Sequence, residues 1–130
     1  MTEKEVAAAR RLVNSSNWQW RSGMKAVFYQ EGESECPFLR VSDWDADKIK
    51  GGLRAIWFEN HIPDLNDDAT RGAVLGLVRD CIGKPIWVRD LTPQGGDWDV
   101  CYQGTSYSYV VVVASGTSEG EALARALEKA

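Results

Sequence analysis

The side chains best suited to chemistry lie around the single histidine of the chain, His61. Three carboxylates follow it closely in sequence: Asp64, Asp67 and Asp68. A histidine beside a carboxylate is a common general acid–base arrangement, and a thiol within reach would add a nucleophile. The available thiols belong to three cysteines: Cys36, Cys81 and Cys101. These residues leave open an enzyme with its site around His61. A histidine that packs locally in a loop is the simpler alternative.

The acidic run from Asp43 to Asp47 is the sharpest local feature. Carboxylates at alternate positions are typical of the start of a calcium-binding loop. Lys48 stands where that loop requires Gly, and Arg54 stands where it requires a bidentate Glu, so the pattern predicts no calcium site. A solvated acidic loop is the simpler alternative, and a tryptophan flanked by acids is also typical of an exposed anchor for a partner with a basic rim. The predicted partner-binding residues are Trp44, Asp43, Asp45 and Asp47.

The sequence lacks the residue spacing that other metal sites, cofactor sites and phosphate-binding loops require. A zinc site would need His61 and the cysteines to converge, yet no two cysteines have the C-x₂₋₄-C spacing. The chain contains neither a Walker sequence nor a G-x-G-x-x-G loop. Cys81 falls on the apolar stripe of a predicted helix, so we expect it to be buried and unreactive. We therefore predict no metal ion and no cofactor.

Size and composition predict one globular domain spanning residues 1–130, with 44% hydrophobic and 26% charged residues. A net charge of −4 makes nucleic acid an improbable partner, because phosphate binding needs a basic surface. The odd number of cysteines, 3, does not describe a disulfide framework. The first residues are polar, and the longest apolar run, Val110 to Ala114, is far too short to cross a membrane. We expect a cytoplasmic protein.

Three helices are predicted from their capping residues. Thr2 and Glu5 have capping-box spacing at the start of the first, and Ser118 and Glu121 have it at the start of the last, near 118–129. The central helix, near 67–82, begins with acidic caps and ends at Gly83. This central helix contains two glycines that share one face: Gly72 and Gly76. Glycine weakens a helix, so we expect that face to lie close against a sheet or another helix.

The remaining segments predict an antiparallel sheet of about 5–6 strands and therefore an α+β fold. Strand-like segments are Trp18–Trp20, Met24–Tyr29, Phe38–Val41, Leu53–Phe58, Ile86–Val88, Trp98–Tyr102 and Ser106–Ala114. Short turns join the last three, so they should form an antiparallel meander. Four consecutive valines from Val110 predict a central strand covered on both faces. Between the strands, Asp43 to Gly52 is predicted to be a charged loop.

Two segments together resemble a known group of sequences. The first is Pro63 to Arg79, which reads PDLNDDATRGAVLGLVR, and the second is the closing helix from Gly116 to Leu127. This pairing resembles small, uncharacterised proteins encoded by bacteriophages and prophages. The resemblance covers about the last half of the chain. It implies a phage-related protein in the cytoplasm of a bacterial host, and it carries over no catalytic residues.

Three functions therefore remain in view. The first is a non-enzymatic phage accessory protein that binds a host or phage protein. One form of this hypothesis is that it inhibits the protein it binds. It is favoured by the small size, the absence of a catalytic signature and the 6 tryptophans, which exceed what the core alone requires. The second is a structural or self-assembling phage protein, in which Ser106–Ala114 pairs across a subunit interface if it lies at a sheet edge. The third is an enzyme with an unrecognised site around His61.

Overall fold

The computed structural model describes residues 1–33, 36–50, 60–106 and 109–130. Within these residues the helices are α1 (Glu3–Val13), α2 (Asp43–Lys50), α3 (Asp68–Ile82) and α4 (Glu119–Lys129). The strands are β1 (Lys25–Val27), β2 (Phe38–Arg40), β3 (Ile62–Pro63), β4 (Ile86–Asp90), β5 (Trp98–Gln103) and β6 (Val110–Gly116). A short 3₁₀ turn at Thr92–Gln94 connects β4 to β5. The predicted strand Leu53–Phe58 lies outside the described residues.

The described strands form two antiparallel sheets, which confirms the α+β class. Sheet A has the order β2-β1-β3, and sheet B has the order β4-β5-β6. In sheet A, Val27 pairs with Phe38 on one side and with Ile62 on the other. In sheet B the predicted antiparallel meander is confirmed, with Val88 opposite Val100 and Val100 opposite Ala114.

The three predicted helices begin at their predicted caps. Thr2 and Glu5 form a reciprocal capping box, with the Thr2 N–H donating to Glu5 Oε1 at 2.8 Å. The Asp67 carboxylate caps α3 by accepting from Thr70 N at 3.0 Å. Ser118 Oγ caps α4 by accepting from Glu121 N at 3.2 Å. Each cap satisfies backbone N–H groups that would otherwise lack a partner at the helix start.

Helix α4 lies at the centre of the core, where it contacts α1, α3 and strand β6. Its Leu123 and Leu127 are buried in the same hydrophobic cluster as Leu12 of α1 and Val74 of α3. Two glycines make this packing possible. A Cβ on Gly116 would lie 2.6 Å from Ala122 N, and a Cβ on Gly120 would lie 2.5 Å from Leu65 O. The C-terminal segment therefore needs glycine at both positions because its backbone packs directly against neighbouring backbone.

The structure corrects two predictions about secondary structure. The segment from Asp43, predicted as a charged loop, is helix α2, because Ser42 and Asp45 form a cap at its start. Trp18–Trp20, predicted as a strand, is not part of a sheet; the two indoles instead make an edge-to-face contact with ring centroids 5.0 Å apart. Their alternation reflects local aromatic packing rather than strand pairing.

Two predictions about packing are also wrong. One placed the valine strand at the centre of a sheet, and the other expected the glycine face of α3 to lie close against a neighbouring element. Among the strands that the structure describes, β6 is an edge of sheet B rather than its centre, and Val112 is exposed. A β-bulge leaves Val113 without an opposing residue in β5, so the valines do not simply alternate between faces. On α3, a Cβ on Gly72 would meet nothing within 4 Å, so this helix face makes no close approach there.

Candidate functional site

Helix α2 turns the predicted partner-binding residues toward solvent. At 3.6 residues per turn, residues 43, 44, 47 and 48 share one side of a helix. Ala46 lies on the opposite side and packs against the hydrophobic core. The side chain of Trp44 is 60% exposed, and Asp43 and Asp47 are exposed beside it. The same helical geometry that buries Ala46 therefore presents Trp44 outward; we call Asp43, Trp44, Asp47 and Lys48 the α2 face.

The Trp44 indole has both acidic and basic neighbours on the α2 face. Lys48 Nζ lies 5.5 Å from the centroid of the Trp44 ring, which is a cation–π distance. The Asp45 carboxylate accepts from Ser42 N at 3.2 Å and from Ser42 Oγ at 2.9 Å at the start of α2. Asp43 and Asp47 are the exposed acids of this face.

A cavity of about 620 Å³ opens beside sheet A. Its lining comes from sheet A, from the connection after β1 and from the N-terminus: Met1, Lys25, Val27, Tyr29, Glu33, Cys36, Phe38 and Asp64. Antiparallel pairing places Phe38 next to Val27, because these residues are partners in the register of β1 and β2. Phe38 is 58% exposed, so the cavity has an aromatic wall that remains open to solvent. We call this the sheet A cavity.

Lys25 contacts two other residues that line the sheet A cavity. Its Nζ lies 3.2 Å from Asp64 Oδ2 and 4.4 Å from the centroid of the Phe38 ring. Both side chains of the ion pair are largely shielded from water, which strengthens their attraction relative to a surface pair. The Lys25 ammonium is therefore already bound by a carboxylate and an aromatic face. Sequence reasoning missed this cavity because its lining residues are distant along the chain.

The aspartates predicted to support His61 all bind other partners. Asp64 pairs with Lys25, and Asp68 pairs with Arg71. Asp67 Oδ2 accepts from Arg40 Nη1 at 2.7 Å in addition to capping α3. Burial raises the pKa of Asp67, but hydrogen bonds from Arg40 and Thr70 outweigh it and lower the pKa overall.

His61 itself packs against an aromatic ring. Its centroid lies 5.7 Å from that of Phe28 in an edge-to-face arrangement, and burial lowers the pKa of the imidazole. His61 does not line the sheet A cavity. The proposed catalytic set is therefore not gathered in this cavity, which Asp64 and Cys36 line without His61.

The cysteines occupy three different environments. Cys36 is half-buried in the wall of the sheet A cavity. Cys81, predicted to be buried, is exposed on α3, because it lies at the edge of the apolar stripe rather than inside it. Cys101 is buried in the central strand of sheet B, and burial raises the pKa of its thiol.

Sequence reasoning passed over one motif at the junction of β6 and α4. Residues 116–120 read G-T-S-E-G, the G-x-S-x-G pattern of a nucleophile elbow, and they connect a strand to a helix. The backbone of Ser118 is extended, with φ −137° and ψ 163°, rather than held in the strained turn of such an elbow. Ser118 Oγ accepts from Glu121 N and donates to Glu5 Oε2 at 3.1 Å. The motif here serves to cap α4 and to join it to α1.

The face of sheet B directed away from the hydrophobic core carries a second group of exposed apolar side chains. Trp87, Cys101 and Val112 form one cross-strand row, in which both outer members are exposed. In the next row Asp99 Oδ2 accepts from Arg89 Nη2 at 2.9 Å. This hydrogen bond, with a second from Ser115, lowers the pKa of Asp99.

Comparisons with known proteins identify no relative of this chain. A comparison with protein-family models, with curated proteins and with solved structures finds no match to this chain. Across the described parts of the chain, no helix has the length and apolar character needed to cross a membrane. The same parts hold no group of three or more histidine, cysteine or acidic side chains placed to bind a metal ion. The candidate sites are therefore the α2 face and the sheet A cavity.

Proposed function

We propose that this chain is a non-enzymatic accessory protein of the bacteriophage or prophage type that binds a host or phage protein. It acts in the bacterial cytoplasm, and inhibition of the bound protein is one mode of action. The observation that supports binding is the 60% exposure of Trp44 on a helix whose opposite side packs into the core. The phage setting rests on the sequence resemblance.

An exposed tryptophan is an efficient anchor for a partner. Its large ring gains free energy when a pocket removes it from water, and it loses little side-chain entropy on binding. Tryptophan is accordingly enriched among residues whose truncation costs about 2 kcal/mol or more of binding free energy. Asp43 and Asp47 border the ring, so the partner that fits is one with an apolar pocket rimmed by Lys or Arg.

The proposal is tested by capture of the partner and measurement of its affinity. The tagged chain is used to isolate partners from a bacterial lysate, and the dominant partner is then titrated against purified variants by calorimetry. Trp44→Ala should weaken binding by about 30-fold or more, which corresponds to about 2 kcal/mol. Trp87→Ala is the matched control, because it removes another exposed tryptophan from a different face. Equal affinity for the wild type and Trp44→Ala would refute the assignment of the α2 face.

The two acids make a separate kinetic prediction within this experiment. The Asp43→Asn/Asp47→Asn variant should associate more slowly and should show a weaker dependence of its association rate on salt, because rim charges act mainly on the encounter. An unchanged association rate at low salt would show that the partner does not present a basic rim.

Self-association is the second candidate, and the edge position of β6 favours it. The strand from Val110 to Gly116 carries no charged residue and no proline, which are the usual devices that protect an exposed edge from pairing. Tyr109 and Val112 are also exposed. A Val112→Lys variant should dissociate an oligomer formed through this edge. Sedimentation of the wild type as a monomer at high concentration would exclude this candidate.

A further inference from the structure

Among the described side chains that line the sheet A cavity, the charged group without an ion-pair partner is the Glu33 carboxylate. Lys25, the cationic side chain among the described lining residues, is already held by Asp64 at 3.2 Å and by the ring of Phe38. An anionic ligand would therefore have to compete with the Asp64 carboxylate for this ammonium. Glu33, by contrast, lines the cavity and forms no ion pair with any residue that the structure describes.

The sequence around Glu33 is acidic. From residue 26 to residue 39 the sequence contains Glu31, Glu33 and Glu35 and neither Lys nor Arg. The Glu33 carboxylate lies at a partly enclosed space of about 620 Å³ and raises the local concentration of cations, because the low-dielectric walls focus its field. A cavity of this size is within the range of about 300–1,000 Å³ typical of sites that enclose a ligand or a side chain.

The aromatic members of the lining already attract cations within the chain. Lys25 Nζ lies 4.4 Å from the centroid of Phe38, and Arg10 Cζ lies 5.6 Å from that of Tyr29. Arg10 is not part of the cavity lining. Ring faces attract cations through their quadrupole, and more strongly when water is partly excluded. Tyr29, Phe38 and Glu33 thus supply the aromatic and acidic groups that bind an ammonium or guanidinium on an apolar stem.

We propose that the sheet A cavity binds a basic side chain, arginine or lysine, presented by the protein partner. This inference rests on the proposed protein-binding function and specifies the chemistry of the partner. The apolar stem contacts Val27 and Phe38, and the cationic head lies toward Glu33. The partner therefore presents a basic residue to sheet A as well as a pocket to Trp44.

Cys36 provides a direct assay of cavity occupancy. The purified chain is alkylated with iodoacetamide, a neutral reagent, and the modification of each cysteine is followed by peptide mass spectrometry. N-acetyl-arginine amide is the probe, and N-acetyl-citrulline amide, its neutral counterpart, is the control. The probe should slow Cys36 alkylation by the factor 1 + [L]/Kd, or about threefold at twice its Kd. Cys81, exposed on α3, is the internal reference and should react at an unchanged rate.

Matched variants identify the group that recognises the cation. Glu33→Gln should abolish the protection, whereas Glu31→Gln, an exposed acid that does not line the cavity, should retain it. Each variant is compared with itself in the absence of probe, so a change in intrinsic Cys36 reactivity does not affect the result. Equal protection by the citrulline control, or no protection by the arginine probe, overturns the inference.

The outcome for the cavity is separable from the outcome for the proposed function. If the arginine probe fails to protect Cys36 while a partner still binds in a Trp44-dependent manner, the cavity inference is wrong and the protein-binding proposal stands. If the probe protects Cys36 but no partner is captured, the cavity is a cation site and the protein-binding proposal fails. Trp44→Ala should leave probe binding unchanged, because Trp44 does not line the cavity.

Discussion

Two helical glycines should respond in opposite directions to the same substitution. Gly72 lies inside α3, where an added Cβ would meet nothing within 4 Å, whereas an added Cβ on Gly120 in α4 would lie 2.5 Å from Leu65 O. Gly72→Ala should stabilise the chain by about 1 kcal/mol, because alanine loses less backbone entropy on forming a helix. Gly120→Ala should destabilise it, because the contact is with backbone that cannot rotate away.

The magnitudes follow from the size of the chain. At about 2.1 cal/mol/K per residue, 130 residues have an unfolding entropy of about 0.27 kcal/mol/K near the midpoint. A gain of 1 kcal/mol therefore raises the Tm of Gly72→Ala by about 4 °C. Overpacking costs about 1–3 kcal/mol, and at Gly120 it exceeds the helix gain, so Tm should fall by up to about 8 °C.

The assay is thermal unfolding followed by far-ultraviolet circular dichroism, with urea unfolding as an independent measure of the free energy of unfolding. The double variant should show the sum of the two effects, provided that the sites do not share contacts. An unchanged or lower Tm for Gly72→Ala would refute the conclusion that this helix face is open. A higher Tm for Gly120→Ala would refute the close packing of α4 against Leu65.

Two further substitutions test polar interactions. The hydrogen bond from Arg89 lowers the pKa of Asp99 below its ordinary 3.8, so its contribution to stability is present above that value and is lost as pH falls through the lower folded pKa. The wild type should therefore exceed Asp99→Asn in free energy of unfolding by about 1 kcal/mol at neutral pH, and urea unfolding should show the difference shrinking toward pH 3. Ser118→Ala should lose about 1 kcal/mol by removing the cap of α4, measured as a lower Tm; an unchanged Tm would show that this cap is dispensable.

The sequence predicted the elements whose signals are local. Thr2 with Glu5 and Ser118 with Glu121 have side chains that bond within one helical turn, so residue spacing alone locates these helix starts. The start of α2 had a comparable signal, since Ser42 and Asp45 are also three residues apart. This capping signal was missed because alternating carboxylates are typical of a loop.

Features that depend on long-range pairing were not predictable in this way. Hydrophobic periodicity reports how buried a strand is, but not its position in the sheet, so the valines of β6 predicted a centre where the structure has an edge. The division of the strands into two sheets is likewise a matter of partner choice. The sheet A cavity joins Met1, Lys25 and Asp64, and only the folded chain brings them together.

The structure also indicates where in the chain functional differences should be sought. The proposed resemblance to phage proteins rests on segments whose distinctive residues have structural roles here: Asp67 caps α3, Ser118 caps α4, and Gly116 fits against α4. Residues of this kind preserve a fold without specifying an activity. Both candidate binding features lie instead mainly in the first half, where Trp44 is exposed and Phe38 lines the cavity. A protein sharing only the second half would therefore share the helical packing but would not be expected to bind the same partner.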